Sequence, residues 1–163
     1  MNQDILFNTE NYIFSYRVAG ILIRNGKILL QKPKNDSGYS IPGGHVALGE
    51  LSSETLIREF KEEMNADVKI ERLVMVGESF WPWGSKPCQQ ISFYYEISLC
   101  DENQIPLENK FSAYDDYGKE RMDLEFFWID LLDVRNLLVY PTNIKEDLIS
   151  LPKELKYFVY KQE

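Results

Sequence analysis

GHVALGELSSETLIREFKEEMNA, residues Gly44 to Ala66, places five carboxylates (Glu50, Glu54, Glu59, Glu62 and Glu63) directly after a Pro42-Gly43-Gly44 turn. Ser52 and Ser53 are good helix N-cap residues, and Glu54 then falls in the first turn, where the helix dipole favours an anion. Neither serine has Glu or Gln three residues later, so no complete capping box is expected. From there to Met64 the run is rich in helix formers. Wrapped at about 100° per residue, it puts Leu56, Ile57, Phe60 and Met64 on one face suited to a core. Glu59, Glu62 and Glu63, spaced i, i+3 and i+4, gather on the flank of that face. Glu54, Arg58 and Lys61 point further round, toward solvent or a partner.

On an exposed helix such a cluster costs only a few tenths of a kcal/mol per pair. Near a buried edge, two carboxylates about 5.5 Å apart repel by roughly 3 kcal/mol at an effective dielectric near 20. A hard divalent cation relieves that repulsion, and magnesium adds a preference for substrate phosphates. Spacing alone leaves both a solvated acidic face and a cation site open.

The same residues resemble the signature of the Nudix hydrolases, G-x5-E-x7-R-E-U-x-E-E-x-G-U with U bulky and apolar. Gly44, Glu50, Arg58-Glu59-Phe60 and Glu62-Glu63 stand in register. Asn65 replaces the last glycine and Ala66 fills the final apolar position. Asn is the next best residue for a left-handed helix C-cap, so this departure bears on the helix end and not on the chemistry. The resemblance is MutT-like and implies an α+β fold, a mixed sheet sandwiched between helices, with the signature as loop-helix-loop. It also implies a Mg2+-dependent hydrolase, Mn2+ able to substitute, cleaving a diphosphate linkage in a nucleoside diphosphate derivative. By position, Glu59, Glu62 and Glu63 are the implied metal ligands, and Glu59 is the first choice to position or deprotonate the attacking water. Arg58 is expected to hold a carboxylate by a bidentate pair, with Glu50 bracing it from the loop. Gly43 and Gly44 let the backbone approach and turn a carbonyl toward the metal. An acid outside the signature is sometimes recruited; Glu125 is the first candidate, then Glu120 and Glu78.

The wider chain bounds this reading. At 163 residues it is long enough for one domain, 1–163, with a sizeable core. A net charge of -8 argues against capture of a nucleic-acid polymer, but not against a small nucleotide whose charge is screened by cations. No apolar run suits a bilayer, and Met1-Asn2-Gln3-Asp4 does not read as a signal peptide. Cys88 and Cys100 bracket one extended strand, about 40 Å apart if straight, so a disulfide between them is not expected. Two free, semi-buried thiols suit a cytoplasmic location.

Around the signature, Ile5–Phe7 reads as a short edge strand and Tyr16–Ile23 as a strand. Asn25-Gly26 signals a hairpin returning along Lys27–Gln31. Asp67–Phe80 and Gln89–Leu99 read as long strands joined by the aromatic, turn-rich Trp81–Pro87. Asp101–Asp123 reads as a long polar loop, Leu124–Ile129 as a strand, and Asp130–Leu138 and Asn143–Ser150 as short helices. The pattern leaves Lys156–Tyr160 open between helix and strand.

His45, Trp81, Trp83, Tyr94, Tyr95, Tyr114 and Tyr117 are candidate substrate contacts through stacking or closure. Aromatics of this kind also serve as sheet core or as a homodimer surface, and dimerisation is common among proteins with this signature. The competing reading is a Nudix-fold regulatory module that binds a nucleotide without hydrolysing it. The intact acidic set favours the enzyme.

Overall fold

A computed structural model describes residues 2–105, 111–117 and 120–162, with backbone alone for 111–117 and 120–123. In chain order the strands and helices are β1 (Leu6–Asn8), β2 (Ile13–Arg24), β3 (Lys27–Pro33), β4 (Gly43–His45), α1 (Ser52–Met64), β5 (Val68–Trp83), β6 (Lys86–Leu99), β7 (Phe111–Tyr117), β8 (Glu120–Asp130), α2 (Lys145–Ile149) and β9 (Lys156–Lys161). Two 3-10 turns, Leu131–Asn136 and Thr142–Ile144, lead into α2.

The sheet runs β7-β8-β3-β2-β6-β5-β9. It is mixed: β6 lies parallel to β2 and β9 parallel to β5, and the other pairings are antiparallel. Along its other edge β2 meets three partners in turn: β1 at residues 13–15, β4 at 17–19 and β3 at 23–24. Asn25 and Gly26, both at positive φ, make the tight turn from β2 to β3.

Alternation along β2 divides the core. Val18 and Leu22 join Leu56 and Phe60 of α1, with Leu29, Leu124, Phe126 and Trp128, on one face. Ala19 and Ile21 face the opposite way, toward Val134, Ile144 and Leu148 of the late turns and α2. Helical layers on both faces of a mixed sheet make the α+β sandwich that the signature implies. Phe60 and Leu56 are fully buried, each contributing roughly 2–3 kcal/mol of apolar burial, which fixes α1 on the sheet.

Several expectations change. Ile57 is 41% exposed, and the buried positions of α1 are Ser52, Thr55, Leu56 and Phe60. Ser52 turns inward and shares a 2.7 Å hydrogen bond with Tyr95. Leu51 is therefore the N-cap, its backbone N–H donating to Glu54 at 2.9 Å. Strands β5 and β6 extend through the aromatic segment to a turn at Gly84-Ser85. Within Asp101–Asp123, β7 and the start of β8 form an antiparallel pair where a loop was expected; residues 106–110 and 118–119 lie outside the described ones. Lys156–Lys161 is a strand. Cys88 is buried and Cys100 is exposed, and both are free thiols. Among the described residues no helix is long and apolar enough to cross a membrane.

Candidate active site at the signature helix

β4 sets the site. Gly43 pairs with Ala19 and Gly44 with Val18. A Cβ on Gly43 would fall 1.9 Å from the Val18 carbonyl oxygen, so no side chain fits this approach. On the next residue the open side faces α1: a Cβ on Gly44 would lie 2.5 Å from Glu59 Cδ and 2.8 Å from its Oε1. The Glu59 carboxylate thus rests on the bare backbone of the signature loop.

Arg58 ties the acids together. Its Nε lies 3.0 Å and 3.2 Å from the two oxygens of Glu50, and Nη2 donates to Glu50 Oε2 at 3.2 Å. Nη1 reaches Glu59 Oε1 at 3.3 Å and Glu62 Oε2 at 3.1 Å. Instead of facing solvent, Arg58 turns toward the loop, its side chain 23% exposed. Thr55 Oγ1 donates to Glu50 Oε2 at 2.6 Å and accepts from the Ala47 N–H at 3.4 Å, which explains its burial. Burial pushes the Glu50 carboxyl up, but its bonds to Thr55 and Arg58 outweigh that and hold it below the ordinary carboxylate value. For Arg58, burial works against the charge, yet the Glu50 bonds and the charges of Glu59 and Glu62 raise its pKa.

The three candidate ligands grade from surface to interior. Glu62 is 57% exposed and Glu59 12%, while both oxygens of Glu63 are buried. Among the described residues no three carboxylate, imidazole or thiolate groups already converge as a ready-made metal cage. The donors nevertheless fit a hard cation: they are oxygens throughout, beside a glycine pair that leaves the backbone open.

Glu125 is buried on β8 between Leu124 and Phe126. Those neighbours pack on the α1 side, so alternation turns Glu125 to the opposite face, in register with Lys32. Glu78 accepts a hydrogen bond from Tyr157 of β9, on a strand two removed from β2. The side chains of Glu120, Tyr114 and Tyr117 lie outside the described ones.

The structure brings His45, Trp83 and Trp81 together. His45 stacks on Trp83 at 6.1 Å between centroids, and Trp83 on Trp81 at 5.1 Å. Burial, reinforced by the Arg17 charge, lowers the His45 pKa to about 4, so its ring is neutral near pH 7. Tyr95 is spent on the helix and Tyr94 is buried in the sheet.

Two neighbours of the site escaped the sequence reading. Asp4 bridges to Ala47; burial raises its carboxyl, with the Arg58 charge opposing and Glu50 and Glu62 adding to the rise. Arg17, paired with His45 across β2 and β4, donates to the Ile41 carbonyl at 2.7 Å. Arg17 did leave a trace in the sequence, as a cation within the otherwise uncharged run Tyr16–Ile23; Asp4 left none.

A mixed sheet flanked by helices, with an arginine-braced acidic helix over a Gly-Gly strand, defines a class, and comparison with known proteins agrees. The NUDIX domain model matches residues 15–143, and the chain belongs to the Nudix family. It is 34% identical over 101 residues to "Putative ADP-ribose pyrophosphatase YjhB" of Bacillus subtilis (strain 168), an alignment covering 60% of this chain and 48% of that protein. It is 40% identical over 65 residues to the ADP-ribose pyrophosphatase of Methanocaldococcus jannaschii, covering 38% of each. The chain thus spans about half the length, or less, of these curated relatives. The crystal structure of the mutator MutT protein from Bacillus halodurans superposes with a TM-score of 0.59 at 15% identity, covering 90% of this chain and 89% of that one. At that identity the likeness is one of fold.

Proposed function

We propose that the chain, acting as one domain, is a divalent-cation-dependent hydrolase of a diphosphate linkage in a nucleoside diphosphate derivative. ADP-ribose is the first substrate to test, since two relatives bear the name of its pyrophosphatase. A nucleotide sugar or a nucleoside triphosphate follows. The observation that supports this most is the packing of Glu59 on Gly44 with Arg58 spanning Glu50, Glu59 and Glu62.

Glu59, Glu62 and Glu63, with the backbone carbonyls of Gly43 or Gly44, are the residues to hold Mg2+ or Mn2+. Bound there, such an ion screens phosphate charge and lowers the pKa of water. Glu59, fixed by the loop beneath it and by Arg58, positions the attacking water and takes its proton at a carboxylate oxygen. Arg58 acts through these acids and is a positioning residue, and Glu50 with Thr55 locks its orientation. No histidine or thiol nucleophile is required.

The test is release of product from ADP-ribose, nucleotide sugars and nucleoside triphosphates with and without Mg2+. Metal-stimulated turnover of at least one is expected. No turnover across the panel, with Mg2+ or with Mn2+, overturns the proposal.

A further inference from the structure

The α1 side of the sheet is only partly covered. Val18 and Leu22 of β2 pack with Leu56 and Phe60 of the helix, and beyond them the same side opens. Tyr16 pairs with Ile91, Ile91 with Glu78 and Glu78 with Val159. One row of side chains thus crosses β2, β6, β5 and β9 on a common face. The row on one side of it carries Phe14 and Phe80, and the row on the other carries Val76 and Tyr157. Phe7 of β1, 43% exposed, extends the face by stacking on Phe14 at 6.4 Å between centroids.

These side chains are apolar where a sheet face that meets water is polar. Phe14, Val76, Phe80 and Ile91 are half-buried and join neither core. On β9, Phe158 is buried from the opposite side, yet its neighbours Tyr157 and Val159 are also apolar and are 60% and 42% exposed. A strand with apolar residues on both faces reads as one to be covered on both.

The charges on this face indicate what covers it. In the three rows the charged residues are Glu78 and Lys161. Glu78 accepts from the neutral Tyr157 hydroxyl. Lys161 holds its Nζ 5.6 Å from the centre of the Phe80 ring, and among the described residues no carboxylate pairs with it. The two stand on adjacent strands, one diagonal step apart, about 8 Å by strand spacing and rise. A two-fold axis lying in the interface between them sets Glu78 against the partner's Lys161, and Lys161 against the partner's Glu78. The face is therefore its own electrostatic complement.

We propose that this face binds a second copy of the chain, sheet against sheet, in an isologous dimer. An anionic lipid surface is a poorer match, since the face offers a single cation and the chain carries a net charge of -8. Five strands span about 20 Å at sheet spacing, less than the roughly 800 Å² per partner of a standard interface, so a dissociation constant in the micromolar range is expected. The inference is independent of the hydrolase reading, and the signature acids take no part in it.

Sedimentation velocity over a wide range of chain concentration, from micromolar to several hundred micromolar, tests this. The mass should rise from one chain toward two across that range. Val159→Asp should hold it at one chain throughout. Glu78→Lys and Lys161→Glu should each weaken the dimer at least tenfold, and the double exchange should bring it back to within threefold of the parent. Leu132→Asp, at a residue 67% exposed and outside the face, should change nothing. Circular dichroism melts confirm that the variants are folded. A single-chain mass at every concentration overturns the proposal. So does a dimer that survives Val159→Asp or is lost in Leu132→Asp, or a double exchange no tighter than the single ones. A chain that stays single yet binds an apolar dye, and loses that binding in Val159→Asp, would give the face to a different partner and likewise overturn self-association.

Discussion

Replacing Gly44 by alanine inserts one methyl group between the signature loop and Glu59. Its carbon would sit 2.5 Å from Glu59 Cδ and 2.8 Å from Cγ, whereas carbon contacts settle at about 3.5–4.0 Å. Glu59 must therefore withdraw by about 1 Å. Its carboxylate ends a flexible side chain held by a 3.3 Å contact to Arg58, so the retreat costs the fold little, under about 1 kcal/mol, or a drop of a few degrees in Tm for a chain of this size. Catalysis is less forgiving, because a misplacement of about 1 Å is worth on the order of a hundredfold. We expect Gly44→Ala to lower kcat/KM for the best substrate about a hundredfold, equivalent to about 2.7 kcal/mol of barrier, with the melting transition nearly in place. Steady-state kinetics in Mg2+ beside a calorimetric melt measure both. Turnover within threefold of the parent would refute the reasoning, as would a Tm loss large enough to explain the inactivity by unfolding.

Glu62→Gln keeps shape and removes charge, and should cut kcat by two or more orders of magnitude in the same assay with the far-ultraviolet spectrum unchanged. Asn65 sits at φ 50°, ψ 37°, with its N–H bonded to the Lys61 carbonyl at 3.0 Å, so Asn65→Gly should leave Tm unchanged or raise it by a degree or two; a clear loss would assign Asn65 another role. The carboxyl of Glu50 is held below its ordinary value of 4.5, so the stability it contributes is present above that pH and is lost as pH falls through its folded value. Melts from pH 6 to pH 3 should show a shallower acid limb in Glu50→Gln than in the parent, and parallel limbs would contradict the Arg58–Thr55 clamp.

Much of the site was legible because its geometry is local. Acids at i, i+3 and i+4 after a glycine turn must share one side of a helix, and Asn65 could be read as the cap from its residue type alone. Helix periodicity failed at Ile57, where hydrophobicity pointed inward but the buried position belongs to Thr55, drawn in by Glu50 and the Ala47 N–H. It failed likewise at Ser52, whose hydroxyl serves Tyr95 and not the helix end. Prolines at 82 and 87 suggested a loop, yet both ride in a paired hairpin whose turn needs only Gly84-Ser85. Strand β7 has weak periodicity of its own and exists through pairing with β8. Tyr16, Ile91, Glu78 and Val159 come from four strands that meet only after folding, so no local pattern announces the face they form.

The most direct check on the central claim is anomalous diffraction from crystals grown with Mn2+. Density for the ion should lie among the carboxylates of Glu59, Glu62 and Glu63 beside the Gly43–Gly44 backbone. An ion bound elsewhere, with those three carboxylates apart and unliganded, would contradict it.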